Sequence, residues 1–437
     1  MRIAIAGGGP VGIFLGLGLA RRGHHVTLVD RDPGPPGSRP WRRVGVMQFN
    51  APHGVLSRAR QALLRELPDV YDALVAAGAQ VRWLPQLPPE TAIMFCRRSV
   101  LESELRAAAR RQPGLEWVTG HVDDVIVDDR VASGLAVDGR TISAEVVIVA
   151  TGKNSHLGDP LRGAAEGGPS GFSGVCGVYL CRDPADACDL LVPSVVEGPG
   201  YTSMVMPSDA GHHSVLICYP ARDTRFAALR DREALRRAAG AIPHLAPWCD
   251  AERYRPVLDV SVIANFPNSY RSQGPALGTP AALGLFFAGD AVATLNPENG
   301  LYLSLALPQA EHLMAALDDP SPDLAQVSAS MDAWAEHRIR PWYLDHVLQD
   351  EWLSRRFAGR ELDLEGRIPP DVIAAAADVD PSLLAFIGPY RALLAEPDIL
   401  DHAQQRVRDM LRGGWRPPCY GPSPERILSA AGSPSRS

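Results

Sequence analysis

Three glycines near the amino terminus, Gly7, Gly9 and Gly12, carry the clearest chemical signal in the 437-residue chain. They follow an apolar run at residues 2–6 and precede an amphipathic run, an order that predicts a strand, a tight turn and a helix. In that setting the first glycine permits the turn, the second lets a pyrophosphate approach the backbone, and the third lets the helix pack closely on the sheet. The spacing therefore predicts a dinucleotide site with the phosphates at the amino end of the helix.

An acidic residue closes the predicted second strand. Residues 26–29 form a short, mostly apolar run, and Asp30 follows it directly. A carboxylate at that position can accept hydrogen bonds from the hydroxyls of a nucleotide ribose. The order of strand, glycine turn, helix, strand and acid makes the motif specific, whereas the glycines alone would be a weak signal. The alternative is a glycine-rich turn of an α/β protein that binds no ligand.

Two later segments show a buried strand that ends in small or polar residues. Residues 144–150 precede Thr151-Gly152, and residues 283–288 precede Gly289-Asp290. Ligands of open α/β sheets bind at the carboxyl ends of the strands. We therefore expect both segments to reach the same nucleotide crevice. A helix N-cap is the alternative role for Asp290.

Arg98 begins another predicted helix, in which Leu101 and Leu105 form the apolar stripe. A cation at the start of a helix gains nothing from the helix dipole, so we expect Arg98 to have an anionic partner. The alternative is an ordinary solvated arginine.

Composition limits the classes of function. A net charge of −7 argues against nucleic acid as the main partner. The seven cysteines lack C-x-x-C spacing, so we expect reduced thiols and no disulfide frame or zinc site. We expect no other metal site, because the neighbours His212 and His213 fall in a predicted strand and would face opposite ways. No apolar run approaches the roughly 18 residues of a membrane span, and no signal peptide precedes the first strand, so we expect a cytoplasmic protein.

The chain divides into four predicted parts: a nucleotide-binding part at 1–155, a β-rich part at 156–275, a return to the nucleotide-binding part at 276–320 and a helical region at 321–437. We expect helices at 57–78, 224–240, 323–339, 341–358 and 399–412. The small, polar residues 429–437 predict a disordered tail.

The three motifs, taken in order, resemble those of the FAD-dependent monooxygenases with the p-hydroxybenzoate hydroxylase fold, the class A flavin monooxygenases, and most closely their actinobacterial natural-product branch. The motifs are Gly7-x-Gly9-x-x-Gly12 with Asp30, Arg98-x-x-Leu101-Glu102-x-x-Leu105, and Gly289-Asp290 followed by Pro297 and Gly300. The resemblance covers residues 1 to about 320. It implies an α/β fold in which a Rossmann-like FAD-binding domain carries an inserted antiparallel β-sheet substrate domain and a helical C-terminal region.

The resemblance also implies roles at matching positions. Asp30 would bind the adenosine ribose, Arg98 would contact the ribityl and phosphate portion of FAD, and Asp290 would bind the ribityl or pyrophosphate region. The helix after Pro297 would direct its amino end at the flavin and stabilise negative charge on the reduced ring. The full set expected to bind FAD is Gly7, Gly9, Gly12, Asp30, Arg31, Arg98, Val122, Thr151, Gly152, Gly289, Asp290, Pro297, Asn299 and Gly300.

Three positions depart from the family pattern. Thr151 replaces the usual aspartate of an Asp-Gly pair, which puts direct reduction by NAD(P)H in question and leaves a separate flavin reductase as the other source of electrons. Tyr302 replaces a glycine and would shield the flavin or stack on substrate. Pro308 falls inside the expected helix and should kink it. No catalytic residue is assigned, and the candidates are Arg43, Gln48, His53 and Tyr302; the first three would line the path beside the flavin or simply order a long loop.

The implied reaction belongs to the cofactor. Reduced FAD would add O₂ to form a C4a-hydroperoxide, and the protein would exclude water and present a substrate to the distal oxygen. The prediction is an FAD-dependent monooxygenase that hydroxylates or epoxidises a largely apolar small molecule in natural-product biosynthesis. Its partners would be the substrate, molecular oxygen and a flavin reductase if NAD(P)H does not act directly, with no nucleic acid and no membrane.

Other functional interpretations of the same motifs remain open. A reductase or oxidase of this fold, a flavin-binding protein without turnover, and a nicotinamide dehydrogenase all fit the nucleotide motifs. A halogenase fits less well, because it needs a lysine between flavin and substrate. Lys153, the only lysine in the chain, falls in the predicted nucleotide loop, and no two tryptophans are spaced as in W-x-W.

Overall fold

A computed structural model describes residues 1–35, 41, 43–46, 49–153, 156–264, 266–297 and 300–432 of the chain. Of the predicted site residues, Gln48 and Asn299 lie outside this described part. The strands are β1 Arg2–Ala6, β2 His25–Asp30, β3 Pro52–Val55, β4 Gln80–Arg82, β5 Ile93–Arg97, β6 Leu115–Thr119, β7 Val122–Asp128, β8 Val131–Val137, β9 Arg140–Ser143, β10 Val146–Val149, β11 Glu166–Pro169, β12 Phe172–Cys181, β13 Ser194–Gly198, β14 Tyr201–Pro207, β15 His212–Pro220, β16 Tyr254–Pro256, β17 Ser261–Ile263, β18 Pro267–Tyr270, β19 Leu285–Phe287 and β20 Ala293–Thr294. The helices are α1 Pro10–Arg21, α2 Ser57–Glu66, α3 Pro68–Ala76, α4 Arg98–Arg111, α5 Arg232–Gly240, α6 Tyr302–Ala316, α7 Leu324–Arg338, α8 Arg340–Phe357, α9 Pro370–Ala377, α10 Leu384–Arg391, α11 Asp401–Arg412 and α12 Pro424–Gly432.

A parallel sheet of five strands, in the order β19-β10-β1-β2-β6, organises the nucleotide-binding part. All four strand pairs are parallel, so the carboxyl ends of these strands share one edge. Side chains alternate between the two faces, and both faces are covered: Ile3 and Ile5 belong to one core cluster, and Ala4 and Ala6 to the other. Strand β1 is buried on both faces because it is apolar on both, with β-branched isoleucines on one face and alanines on the other.

An antiparallel sheet, β13-β14-β15-β12-β16 with β17 added beside β12, forms the β-rich part. Alternation again separates its faces. Val175 and Tyr179 pack with α5 and α12, whereas Cys176 and Met204 lie on the opposite face in a small cluster of their own. The second face borders a cavity described below. The predicted fold class, a Rossmann-like sheet with antiparallel sheets and C-terminal helices, is confirmed by this architecture.

Two predicted helices are each divided in the structure. The stretch 57–78 forms α2 and α3, because Pro68 cannot donate a backbone hydrogen bond and begins a new helix instead. The stretch 224–240 forms a short 3₁₀ segment and then α5, which Asp231 caps by accepting a hydrogen bond from the N–H of Ala234 at 2.8 Å.

The prediction of a disordered tail from residue 429 is wrong for residues 429–432, which belong to α12. Ile427 and Ala431 are buried against α5, and Arg237 donates to the Ala431 carbonyl at 3.0 Å. Small residues are common in disordered tails, but here they allow α12 to pack closely on α5. Helix α6 contains Pro308 and continues to Ala316. The kink expected at this proline stays a prediction.

The remaining strands form three small sheets, and α7 to α11 follow the return segment. Among the described helices, none has the length and apolar character needed to cross a bilayer.

Candidate functional site

The turn between β1 and α1 is built from the three motif glycines. Gly7 has a φ of +105°, and its N–H donates to the Val29 carbonyl at 2.8 Å. A Cβ added to Gly12 would lie 1.9 Å from the Gly7 carbonyl oxygen, so α1 approaches the strand this closely only because Gly12 lacks a side chain. A Cβ added to Gly9 would meet no atom within 4 Å, because Gly9 borders an open crevice. This geometry agrees with a tight turn, an open approach and close helix packing.

The crevice has a volume of about 640 Å³ and follows the carboxyl ends of the parallel strands. Asp30, at the end of β2, and Asp290, after β19, both line it. The amino end of α1 reaches it through Pro10 and Val11. Motifs far apart in the sequence therefore meet at one cavity, as expected for strands that share a parallel sheet.

The Asp30 carboxylate is held by three hydrogen-bond donors and one further cation. One oxygen accepts from the N–H of Gly8 at 2.6 Å and from Arg43 at 2.5 Å. The other accepts from the N–H of Asp32 at 2.8 Å and lies 3.7 Å from Arg106. A ligand hydroxyl at this carboxylate must share it with these donors.

Arg43 also connects the first motif to the second. Its guanidinium donates to Glu102, which is fully buried, and Glu102 accepts a further hydrogen bond of 2.7 Å from Arg98. The expected anionic partner of Arg98 is thus Glu102, one turn along the same helix. A buried carboxylate needs such cations nearby because burial removes its hydration.

Arg106 adds another cation to this network. Its guanidinium lies between the rings of Trp41 and Trp117, with centroid distances of 4.7 and 4.5 Å. It also donates to Asp32 at 3.2 Å. The indole faces attract the cation and hold it in place.

The segment after β10 brings three further residues to the crevice. The Thr151 hydroxyl is buried and finds no hydrogen-bond partner among the described residues. Gly152 has open space where a Cβ would stand. The Lys153 ammonium lies 3.6 Å from the centroid of the Phe266 ring.

Asp290 lies in the 3₁₀ turn after β19. Gly289 adopts a φ of +65° there, and its N–H donates to the Gln309 side chain at 3.0 Å. Burial raises the pKa of Asp290 to about 6, and the positive charges of Arg98 and Lys153 oppose that rise. The carboxyl is therefore placed where charge is costly unless cations or a ligand compensate it.

A second cavity, of about 90 Å³, adjoins the crevice. Its walls come from the inner face of the antiparallel sheet, β3 and the start of α6, and they are mostly apolar: Phe172, Cys176, Met204, Met206, Leu216, Cys218, Ile263 and Leu303. Phe266 and Tyr302 line both cavities and so form the partition between them. We call this space the apolar cavity.

Few polar groups face the apolar cavity. His53 lines it, and burial together with the charge of Arg98 lowers the pKa of His53 to about 4, so the imidazole is neutral at pH 7. Ser214 and Asn296 are other polar residues in its wall. An uncharged lining of this kind favours an uncharged ligand.

A buried polar triangle fixes the loop that carries Asn296. The Asp350 carboxylate accepts from the side-chain amides of Asn268 at 2.7 Å and of Asn296 at 3.1 Å. The backbone N–H of Asn296 donates in turn to the Asn268 side chain at 2.8 Å. Helix α8 thereby positions the wall of the apolar cavity.

Most of the predicted site residues line the crevice, and a few line the apolar cavity. The crevice is lined by Gly7, Gly9, Asp30, Arg31, Arg43, Arg98, Val122, Thr151, Gly152, Gly289, Asp290 and Tyr302. The apolar cavity is lined by His53, Pro297, Gly300 and Tyr302, so Pro297 and Gly300 border it instead of the crevice wall. Gly12 lies behind the crevice wall, in the first turn of α1 where the helix packs against the Gly7 turn.

Sequence reasoning missed Arg106 and the position of the Lys153 side chain, whereas Phe266, Met204 and Met206 belong to the apolar residues of the β-rich part that favour an apolar ligand. Arg106 lies two turns beyond Arg98 on α4, so the helical period could have placed it on the same side of the helix. The reach of Lys153 to Phe266 depends on how the β-rich part lies over the parallel sheet, and no local pattern reports that.

The parallel sheet, its glycine turn and the crevice at its carboxyl edge define a protein of the dinucleotide-binding α/β class. The sequence profile of the pyridine nucleotide-disulphide oxidoreductase family matches residues 1–206, which supports this class. A short match, 40% identical over 70 residues, relates the chain to D-amino acid dehydrogenase 2 of Ralstonia nicotianae. It spans 15% of this chain and 16% of that protein's length.

Comparison with solved structures extends the likeness over most of the chain. PqsL of Pseudomonas aeruginosa, described as a probable FAD-dependent monooxygenase, has a TM-score of 0.61 at 17% identity, covering 82% of this chain and 98% of its own. The flavin-dependent brominase Bmp2 has a TM-score of 0.60 at 16% identity, covering 87% and 100%. The oxygenase of 2-methyl-3-hydroxypyridine-5-carboxylic acid has a TM-score of 0.59 at 15% identity, covering 81% and 91%. At these identities the similarity establishes a shared fold.

Proposed function

We propose that the protein is an FAD-dependent monooxygenase that hydroxylates or epoxidises a largely apolar, uncharged small molecule. One observation carries the proposal: the dinucleotide crevice and the apolar cavity share Phe266 and Tyr302 as a common wall. A redox cofactor in the first space would thus meet a substrate in the second. The folds of PqsL and of the pyridine-carboxylic acid oxygenase support the same reaction class.

The residues of the crevice fit FAD. Gly9 and Gly152 leave open space at the two strand ends where a pyrophosphate and its sugars need close approach. The buried Thr151 hydroxyl lacks a partner among the described residues and can bond to a ligand. Arg31 and Arg98 supply positive charge along the crevice for the phosphates.

When bound, FAD would supply the electron transfer and oxygen activation that the side chains lack. The protein's own part is to bind and orient. Tyr302 and Phe266 separate the two spaces, and the sheet face with Cys176 and Met204 holds an apolar substrate away from water. His53, neutral at pH 7, can accept or donate a hydrogen bond without adding charge.

The source of electrons belongs to the same proposal. We propose either direct reduction by NAD(P)H or reduction by a separate flavin reductase, with Thr151 in place of an aspartate favouring the second route. A place in natural-product biosynthesis is also proposed, from the resemblance of the motifs alone.

The test begins with the absorbance spectrum of the purified protein reconstituted with FAD. NAD(P)H and oxygen consumption are then followed with and without an added flavin reductase, against a panel of uncharged aromatic and alkene compounds. Incorporation of isotopically labelled O₂ into a product supports the proposal. Bound FAD whose reduced form reacts with oxygen only to give hydrogen peroxide, with every compound tested, would count against it.

Halogenation is a second candidate because of where Lys153 lies. The sequence placed this lysine in the nucleotide loop, but its ammonium reaches Phe266, which borders the apolar cavity. The fold shared with the brominase Bmp2 also supports the halogenation hypothesis. The same assay run with bromide or chloride distinguishes the two: a halogenated product that depends on the halide favours halogenation, and an oxygenated product favours the first proposal.

A further inference from the structure

Lys153 is a charged group of the crevice that the proposed oxygenation leaves without a role. It is the only lysine in the chain and lies in the turn that follows β10. Its ammonium contacts the face of Phe266, 3.6 Å from the ring centroid, and makes no hydrogen bond or ion pair with another described residue. An ammonium carries three donors, so this group is available to a ligand in the crevice.

The position of Lys153 within the crevice is informative. Phe266, on which it rests, also lines the apolar cavity, as does Tyr302. Arg31, by contrast, lines the crevice next to Asp30, at the expected nucleotide end. The Lys153 charge therefore lies where the crevice borders the substrate space.

The charge of Asp290 partly offsets the effect of burial on Lys153. Burial lowers the pKa of Lys153, and the charge of Asp290 opposes that change. The aromatic face of Phe266 also stabilises a cation. The Asp290 charge and the Phe266 ring both favour the charged ammonium inside a partly buried site, where a charge acts more strongly than in water.

We propose that Lys153 stabilises the reduced form of the bound flavin and thereby raises its reduction potential. The inference rests on the proposed binding of FAD. Uptake of two electrons and one proton by the neutral oxidised ring leaves one negative charge on the reduced ring. The electrons come from NAD(P)H or a flavin reductase in the proposed reaction, and from dithionite in the test below. A fixed cation beside the ring favours the reduced form over the oxidised one.

The experiment compares the reduction potential of FAD bound to the wild type, K153M, K153R and R31M. Each protein is titrated with dithionite against a reference dye. We expect K153M to bind reduced FAD about tenfold more weakly relative to oxidised FAD, which lowers the potential by about 30 mV for a two-electron couple. K153R should recover most of this difference because it restores the charge. R31M is the matched control: it removes a crevice cation at the nucleotide end, and should weaken both redox states equally without moving the potential.

A second readout uses the single lysine directly. An amine-reactive reagent labels Lys153 and the amino terminus only, so peptide mass spectrometry reports Lys153 without competing lysines. We expect FAD to protect Lys153 and adenosine diphosphate to leave it reactive, because the ring end of the cofactor is needed to cover it.

The outcomes separate this inference from the proposed function. If K153M binds FAD with the wild-type potential, or if adenosine diphosphate protects Lys153 as well as FAD does, the role proposed for Lys153 is wrong while FAD binding stands. If the wild-type protein holds no FAD at all, the proposed function fails first, and this inference fails with it. Thermal unfolding of the apo-proteins checks that K153M folds like the wild type.

Discussion

Arg43 donates a hydrogen bond of 2.5 Å to the carboxylate of Asp30, the acid that ends β2. Its other nitrogen bonds to Glu102 on α4. One guanidinium therefore links the glycine motif to the second motif, and it is nearly buried in doing so, with 8% of its side chain exposed. Two buried carboxylates depend on this cation.

Replacing Arg43 should destabilise the protein. In R43A the carboxylates of Asp30 and Glu102 lose a shared cation, and we expect unfolding to become easier by about 3 kcal/mol, the usual effect of breaking a buried ion pair. Chemical denaturation of the apo-protein measures this. R412A is the matched control, because the Arg412–Glu365 pair is exposed, at 50% and 86%, and should contribute at most about 1 kcal/mol. Equal losses in the two variants would show that Arg43 is not a structural link.

Two alanine substitutions in one motif should have different effects. G12A places a methyl group 1.9 Å from the Gly7 carbonyl, so we expect a less stable protein that no longer binds FAD. G9A meets no atom within 4 Å, so we expect normal stability with weaker FAD binding, because the methyl group enters the space a pyrophosphate would use. Thermal unfolding and quenching of FAD fluorescence separate the two effects. Unchanged FAD affinity in G9A would contradict a phosphate site at this turn.

Sequence patterns predicted the parallel sheet well because its signals are local. The apolar runs that contain Ile5 and Ile148 predict two strands. The glycines between strand and helix predict where the first of these strands ends. The same patterns predicted the crevice, because the carboxyl ends of parallel strands lie together at one edge of the sheet. Arg43 was named only as a candidate, and nothing in its local sequence showed that it bridges Asp30 and Glu102.

The apolar cavity was harder to foresee. Val175 and Cys176 are neighbours of similar character in one strand, yet one faces helices and the other faces the cavity. Periodicity shows that a strand has two faces, but the choice of face depends on where distant helices such as α5 pack. The same limit applies to α12, whose small residues gave no sign that they would pack on α5.

Filling the apolar cavity should remove its binding capacity without affecting the cofactor. Met204 lies in its wall and does not line the crevice. We expect M204W to occupy the space and abolish binding of xenon, a probe of dry apolar cavities, as followed by xenon NMR. M204L, a volume-conserving change, should keep it. FAD affinity should be the same in both variants; a parallel loss of FAD in M204W would show that the two spaces are not separate sites.

The buried Asp350 should make stability depend on pH. Burial raises the pKa of Asp350 from 3.8 to about 6, against the opposing effect of the amide donors of Asn268 and Asn296. The folded protein thus holds this proton more tightly than the unfolded chain, so the stability that the group contributes is full below about pH 4 and is lost as the pH rises through 6. Each pKa unit corresponds to about 1.4 kcal/mol, which gives a loss of up to about 3 kcal/mol. His346 lies on the same helix face and is buried too, but burial lowers its pKa to about 4, so it stays neutral across most of this range.

D350N removes this titration while keeping the shape of the side chain. Relative to wild type, it should be destabilised most at pH 4 and progressively less towards pH 7, because the wild type alone loses stability over that interval. Denaturant unfolding of the two proteins at several pH values measures the difference, and taking the difference removes the effects of Asp290 and Asp345, whose pKa values are also raised to about 6. E365Q, at an exposed carboxylate, should follow the wild type at every pH. A constant gap between D350N and the wild type from pH 4 to pH 7 would mean that Asp350 titrates in the folded protein as it does in the unfolded chain.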